Sequence, residues 1–103
     1  MSTSTSQQIE TLQQAKLKMF SIFDSARKSY LAPMLFSTVE EAKRYFADTV
    51  KKNPESLFAL YPDYYSLCEI GVFDPAKGTG KFNLIEKRHS LPDIIKELNK
   101  NVK

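Results

Sequence analysis

Apolar side chains recur at two spacings along this chain, and the spacings divide it into strands and helices. Over Lys18–Asp24, KMFSIFD, Phe20 and Ile22 point one way while Met19, Ser21 and Phe23 point the other. That period of two predicts a short strand with one strongly apolar face. Ser25–Tyr30 reads as a polar connection. Leu31–Phe36 predicts a second strand. Pro33 donates no backbone hydrogen bond, so it confines that strand to a sheet edge or marks its start. Val39, Ala42, Phe46, Thr49 and Val50 then recur at helical spacing. Ser37 and Thr38 each stand three residues before an acid, Glu40 and Glu41, so either pair can form a capping box. Asn53-Pro54 stops this helix.

Glu55–Asp63 reads as a loop or short helical turn, with Leu57, Phe58, Leu60 and Tyr61 tucked onto the core. Tyr64–Phe73 is the longest predicted strand. Tyr65, Leu67, Glu69, Gly71 and Phe73 share one face; Tyr64, Ser66, Cys68, Ile70 and Val72 share the other. Asp74–Gly80 is a turn and Lys81–Glu86 a returning strand, which makes a hairpin. Ser90 caps a last helix whose stripe is Leu91, Ile94, Ile95, Leu98 and Val102. The expected fold is α+β: a small, mainly antiparallel sheet of about four strands with two helices on one face, in the order β-β-α-β-β-α. Residues 1–15 form a flexible polar tail, with a weak apolar stripe at Ile9, Leu12, Ala15 and Leu17, and 16–103 form one domain. No internal repeat stands out.

The chain has 103 residues and one cysteine, Cys68, so no intrachain disulfide can form. Cys68 sits among apolar neighbours and reads as a small buried hydrophobe. The start, MSTSTSQQIETLQQ, has neither the basic block nor the apolar block of a secretory signal, and no run approaches the ~18 apolar residues of a membrane span. A cytoplasmic location is expected.

The net charge is only +3, but it is patterned. Lys16, Lys18, Arg27 and Lys28 face only Asp24 over 16–30, and Lys77, Lys81, Lys87 and Arg88 face only Glu86 over 77–88. Between them, Glu55, Asp63, Glu69 and Asp74 meet no base.

Catalytic chemistry has few parts here. His89 is the only histidine and reads as a surface or capping residue, and one Cys with one His does not make a structural zinc site. Gly78–Lys81, GTGK, lacks the upstream glycine and the hydroxyl residue of a phosphate loop and reads as a turn. No enzyme activity, metal or cofactor is expected. Nucleic-acid binding fits better: cations track phosphates, and flat rings stack on unpaired bases. The phosphate candidates are Lys16, Lys18, Arg27, Lys28, Lys77, Lys81, Lys87 and Arg88; the stacking candidates are Tyr30, Tyr64 and Tyr65. Phe20, Phe46 and Phe73 are expected in the core.

Three stretches carry a family resemblance: FSIFDSARKSYLAPMLFST, EEAKRYFADTV and NPESLFALYPDYYSLCEIGVFDPAKGTG. Within the last, Pro62, Tyr65, Leu67, Ile70, Gly71, Phe73 and Asp74 fall at the spacing of a Pro-x-x-Tyr-x-Leu-x-x-Ile-Gly-x-Phe-Asp run. From about Met19 to Phe82 the chain resembles the small nonstructural DNA-binding proteins of gokushoviruses, single-stranded DNA phages of the microvirus group. The resemblance implies a replication accessory protein that binds single-stranded DNA and helps switch the host from duplex replication to genome synthesis for packaging. It transfers no catalytic motif. Modest charge on one small domain further suggests a homodimer or larger assembly on one strand. The alternative is a protein-interaction module that regulates a host or phage replication factor without touching DNA, which the acids of 53–76 favour.

Overall fold

The computed structural model describes residues 15–83, 85 and 87–101. The expected tail, apart from Ala15, and the Val102 end of the last helix lie outside the described residues. Six strands and three helices, with one 3-10 turn, alternate as β1 (Leu17–Asp24), β2 (Ser29–Tyr30), β3 (Met34–Phe36), α1 (Val39–Lys52), α2 (Leu57–Leu60), the 3-10 turn Pro62–Tyr64, β4 (Tyr65–Asp74), β5 (Thr79–Phe82), β6 (Arg88–Ser90) and α3 (Leu91–Asn101). The fold is α+β, as expected. The sheet is antiparallel throughout, in the order β2-β1-β4-β5, with β3 also on β1 and β6 also on β4. The two added strands are β2, inside the connection expected to be loop, and β6. Both are two or three residues long, too short for periodicity to register. Pro33 stands just before β3, where its missing N–H removes no ladder bond.

Local sequence sets the helix ends. Thr38 and Glu41 form the capping box that starts α1: the Glu41 N–H donates to Thr38 Oγ1 at 3.2 Å, and the Thr38 N–H donates to Glu41 Oε1 at 3.3 Å. Ser90 Oγ accepts from the Asp93 N–H at 3.2 Å and caps α3. Both longer helices lie on one face of the sheet. There Phe20, Ile22, Tyr65 and Leu67 pack with Ala42, Phe46, Leu91 and Ile94 into the core. Lys43 Nζ ties α1 to Glu97 of α3 at 3.1 Å.

A bulge breaks the alternation along β4. Phe20 pairs with Glu69 and Met19 with Gly71, so Ile70 is the extra residue. Tyr65, Leu67 and Glu69 therefore face the helices, whereas Gly71 and Phe73 turn to the opposite face with Met19 and Leu17. Phe73 is accordingly half-buried on the sheet's other side, not a core residue. The linker expected on the core is also only partly there. Phe58 packs against Tyr65 at 4.6 Å, but Leu57, Leu60 and Tyr61 are exposed.

The fold repeats itself, although no internal repeat stands out in the sequence. Phe23–Tyr30, FDSARKSY, and Phe73–Gly80, FDPAKGTG, build the same hairpin. Asp24 pairs with Ser29, and Asp74 with Thr79, across four-residue turns. Asp24 Oδ1 accepts from the Ala26 N–H and Asp74 Oδ1 from the Ala76 N–H, both at 3.0 Å. Lys28 and Gly78 close the two turns with φ of 57° and 66°. Each hairpin leads to a short outer strand and a helix on the same face, so β1-β2-β3-α1 and β4-β5-β6-α3 are related by an approximate dyad between β1 and β4. Residues from the first hairpin's turn rarely tolerate positive φ unless they are glycine. Replacing Lys28 by glycine should therefore raise stability by about 1 kcal/mol in urea unfolding while removing a cation.

Among the described residues, no helix is long and apolar enough to cross a membrane.

Candidate nucleic-acid interface

The face of the sheet away from the helices carries the most suggestive cluster. Tyr30, on β2, pairs with Phe23 on β1, and their rings lie 4.8 Å apart. Arg88, on β6, pairs with Cys68 and lies on the same face. Its guanidinium sits 5.4 Å from the Phe23 ring centre, and Nη2–H donates to Tyr30 Oη at 3.0 Å. That hydrogen bond is the main reason the Arg88 pKa is raised further; Arg88 keeps its charge. Cation, ring and ring thus form one preorganised group. Tyr30 remains 42% exposed, enough surface for a base to stack on. Phe82, opposite Gly71 on this face, is 75% exposed, and Leu35, opposite Met19 at the far edge of the same row, is 43% exposed. Arg27 and Lys28 project from the turn at the Tyr30 end and are exposed.

Cys68 lies under Arg88, whose Nη1 approaches Sγ at 3.6 Å. It is fully buried, as expected, and burial pushes its thiol pKa up despite the nearby guanidinium. Burial, followed by the Asp24 carboxylate, likewise raises the Tyr65 hydroxyl. Unfolded, these groups release protons from about 9.0 and 10.0; folded, they hold them to higher pH. The native state then binds more protons, so stability should fall as pH rises past 9. Urea midpoints between about pH 8 and about pH 11 check this, and Cys68→Ala should flatten the first part of the decline.

The predicted site residues separate into groups. Tyr30 and Arg88 come together on the open face, and Arg27 and Lys28 are exposed in the turn at that end of the sheet. Tyr64 is exposed at the same end, 6.0 Å ring to ring from Tyr61, and its carbonyl oxygen accepts from the Ser25 N–H at 2.9 Å. Lys16, Lys77 and Lys81 line a hollow at the opposite end of the sheet, on its helix side. Ten residues of β4 separate the two ends, about 30 Å at strand rise. Tyr65 is only 6% exposed and packs on Phe58, so its ring is unavailable to a base; its place opposite Asp24 turns it to the helices. Lys18 points to the helix side and is ion-paired with Glu69 at 3.7 Å. Glu69 also meets His89 Nε2 at 3.3 Å, so this acid is answered by bases and His89 is a strand residue, not a cap. Lys87 is exposed, and its carbonyl accepts from the Glu69 N–H. Sequence reasoning missed Phe23 as a member of the cluster. Only the pairing with Tyr30 reveals it, because a phenylalanine next to Ile22 in an apolar run looks like core.

Comparison with known proteins gives one result. A family described as phage ORF5 protein matches residues 17–96. The chain belongs to this phage protein family. The match spans both hairpins, α1, the first part of α3 and every residue of the Phe23–Tyr30–Arg88 cluster. No curated protein and no solved structure matches it significantly.

Proposed function

We propose that this phage protein is a non-enzymatic single-stranded DNA-binding protein, and that it assists the switch from duplex replication to single-stranded genome synthesis in a microvirus host. The observation that carries the reading is the Arg88–Tyr30–Phe23 group on an uncovered sheet face, flanked by Arg27 and Lys28. Phe82 adds a further exposed ring on the same face, opposite Gly71. Binding is largely independent of sequence, since no helix presents a row of base-reading side chains.

Fluorescence anisotropy of labelled oligonucleotides over a salt series tests the proposal. Affinity should prefer single strands and fall steeply with salt. Tyr30→Ala should weaken it by about 1–3 kcal/mol. Arg27→Ser, Lys28→Ser and Arg88→Gln together should reduce the salt slope by about 2. Salt-independent or duplex-preferring binding would overturn it.

One observation favours the protein-interaction alternative. Leu57, Leu60, Tyr61 and Tyr64 are each about half exposed along one short segment, beside Glu55 and Asp63. Acids there repel phosphate, and exposed apolar groups in a row suit a protein partner. Retention of a replication protein by chains that fail to bind DNA would favour that role.

A further inference from the structure

The dyad makes the two hairpin turns equivalent in backbone, yet their surroundings differ. At the first turn, Ser25 donates its N–H and its hydroxyl to the Tyr64 carbonyl, so the 3-10 turn Pro62–Tyr64 plugs that end. At the second turn, no described segment makes the corresponding bonds. A hollow of about 390 Å³ lies there instead, floored by Val72 and walled by Lys16, Lys77 and Lys81, with Thr79 and Asn83 at its rim. Val72 pairs with both Lys18 and Lys81, which puts the hollow on the helix side of β4 and β5, across the sheet from the Tyr30 cluster.

Its electrostatics are one-sided. Among the described residues, none of these three lysines is ion-paired with a carboxylate. Among the described residues, Asp74 is the only acid lining the hollow. Its Oδ1 is taken by the Ala76 N–H, and its carbonyl by the N–H groups of Lys77 and Gly78. Three lysines line one hollow, so their like charges are set around a single space that an anion would neutralise. The Thr79 hydroxyl and the Asn83 amide add neutral donors for the remaining oxygens. Lysines are point charges without the fork that selects a flat carboxylate, so they suit a tetrahedral, multiply charged oxyanion.

We infer that the Lys16–Lys77–Lys81 hollow is a phosphate-binding site, taking a phosphate group of a nucleic-acid strand or of a nucleotide. The site goes beyond the open-face reading and does not depend on it, since it uses none of the same side chains.

Amide NMR of the full chain with inorganic pyrophosphate tests it, with sodium chloride at matched ionic strength as the control. Pyrophosphate should shift the amides of residues 77–81, and chloride should not. Lys77→Ser with Lys81→Ser should weaken the response by about tenfold, the loss of two charge-assisted contacts. Both lysines are exposed, so the variant keeps the fold. Shifts absent with pyrophosphate, equal with chloride, or unchanged in the double variant would overturn the assignment. Tyr30→Ala should leave the pyrophosphate response intact, which separates failure of this site from failure of the open face. A 5′-phosphorylated oligonucleotide that outcompetes its 5′-hydroxyl twin assigns the site to terminal phosphates. Equal competition by the two assigns it to phosphodiesters within the strand.

Discussion

Phe20→Ala should be the most damaging single change in this protein, costing about 3–5 kcal/mol in urea unfolding. Phe20 is fully buried on the central strand, within the cluster that joins β1 and β4 to α1 and α3. Its ring stands edge-on to Phe36 at 5.9 Å, so truncation also removes the support for the start of α1. The loss has two parts: transfer of apolar surface, and a cavity that a sheet backbone cannot collapse to fill. Against the ~5–15 kcal/mol of a typical domain, the variant would sit near the threshold of folding at 37 °C. A Phe20→Leu control should recover most of the loss.

The second large effect is expected at Gly71→Ala. This glycine follows the bulge and faces Met19 across the open side of the sheet. A Cβ there would collide with the carbonyl oxygen of Lys81, on the paired strand β5. A flexible side chain can swing away, but a ladder carbonyl can move only if β5 parts from β4. The variant should lose about 2–4 kcal/mol. Hydrogen exchange should show fast opening confined to Thr79–Phe82, with the core amides slowed as in the parent. The same variant tests the lysine hollow from another direction. Lys81 is carried by β5, so phosphate affinity should drop although no charge has been removed.

Much of the fold is legible in the sequence wherever burial on one side imposes a period. Phe20 and Ile22 mark β1, Ala42 and Phe46 mark α1, Leu91 and Ile94 mark α3, and the Thr38–Glu41 box and Ser90 mark helix starts by local chemistry. Failures came where one residue decides the geometry. Ile70 inserts into β4 and reverses the facing of everything after it, which moves Phe73 out of the core. Tyr65 and Tyr64 are chemically identical neighbours, yet one is 6% and the other 48% exposed, because only Tyr65 enters the strand. The candidate site was half legible. Patterned charge picked out Arg27, Lys28, Lys77, Lys81 and Arg88 as candidates, but not that Arg88 lies with Tyr30 while Lys77 and Lys81 line a hollow at the far end. That partition depends on which strands pair, and residues 58 positions apart carry no local trace of it. The repeat was hidden by divergence: Pro75 replaces Ser25 and Gly80 replaces Tyr30 at matching positions.

A chain that rebuilds its own β-β-β-α unit about a dyad is what fusion of a two-fold homodimer produces. Joining the copies frees them from having to stay alike. One tip is stoppered by a tyrosine-bearing turn while the other is lined by amines, a difference that two identical subunits could not show.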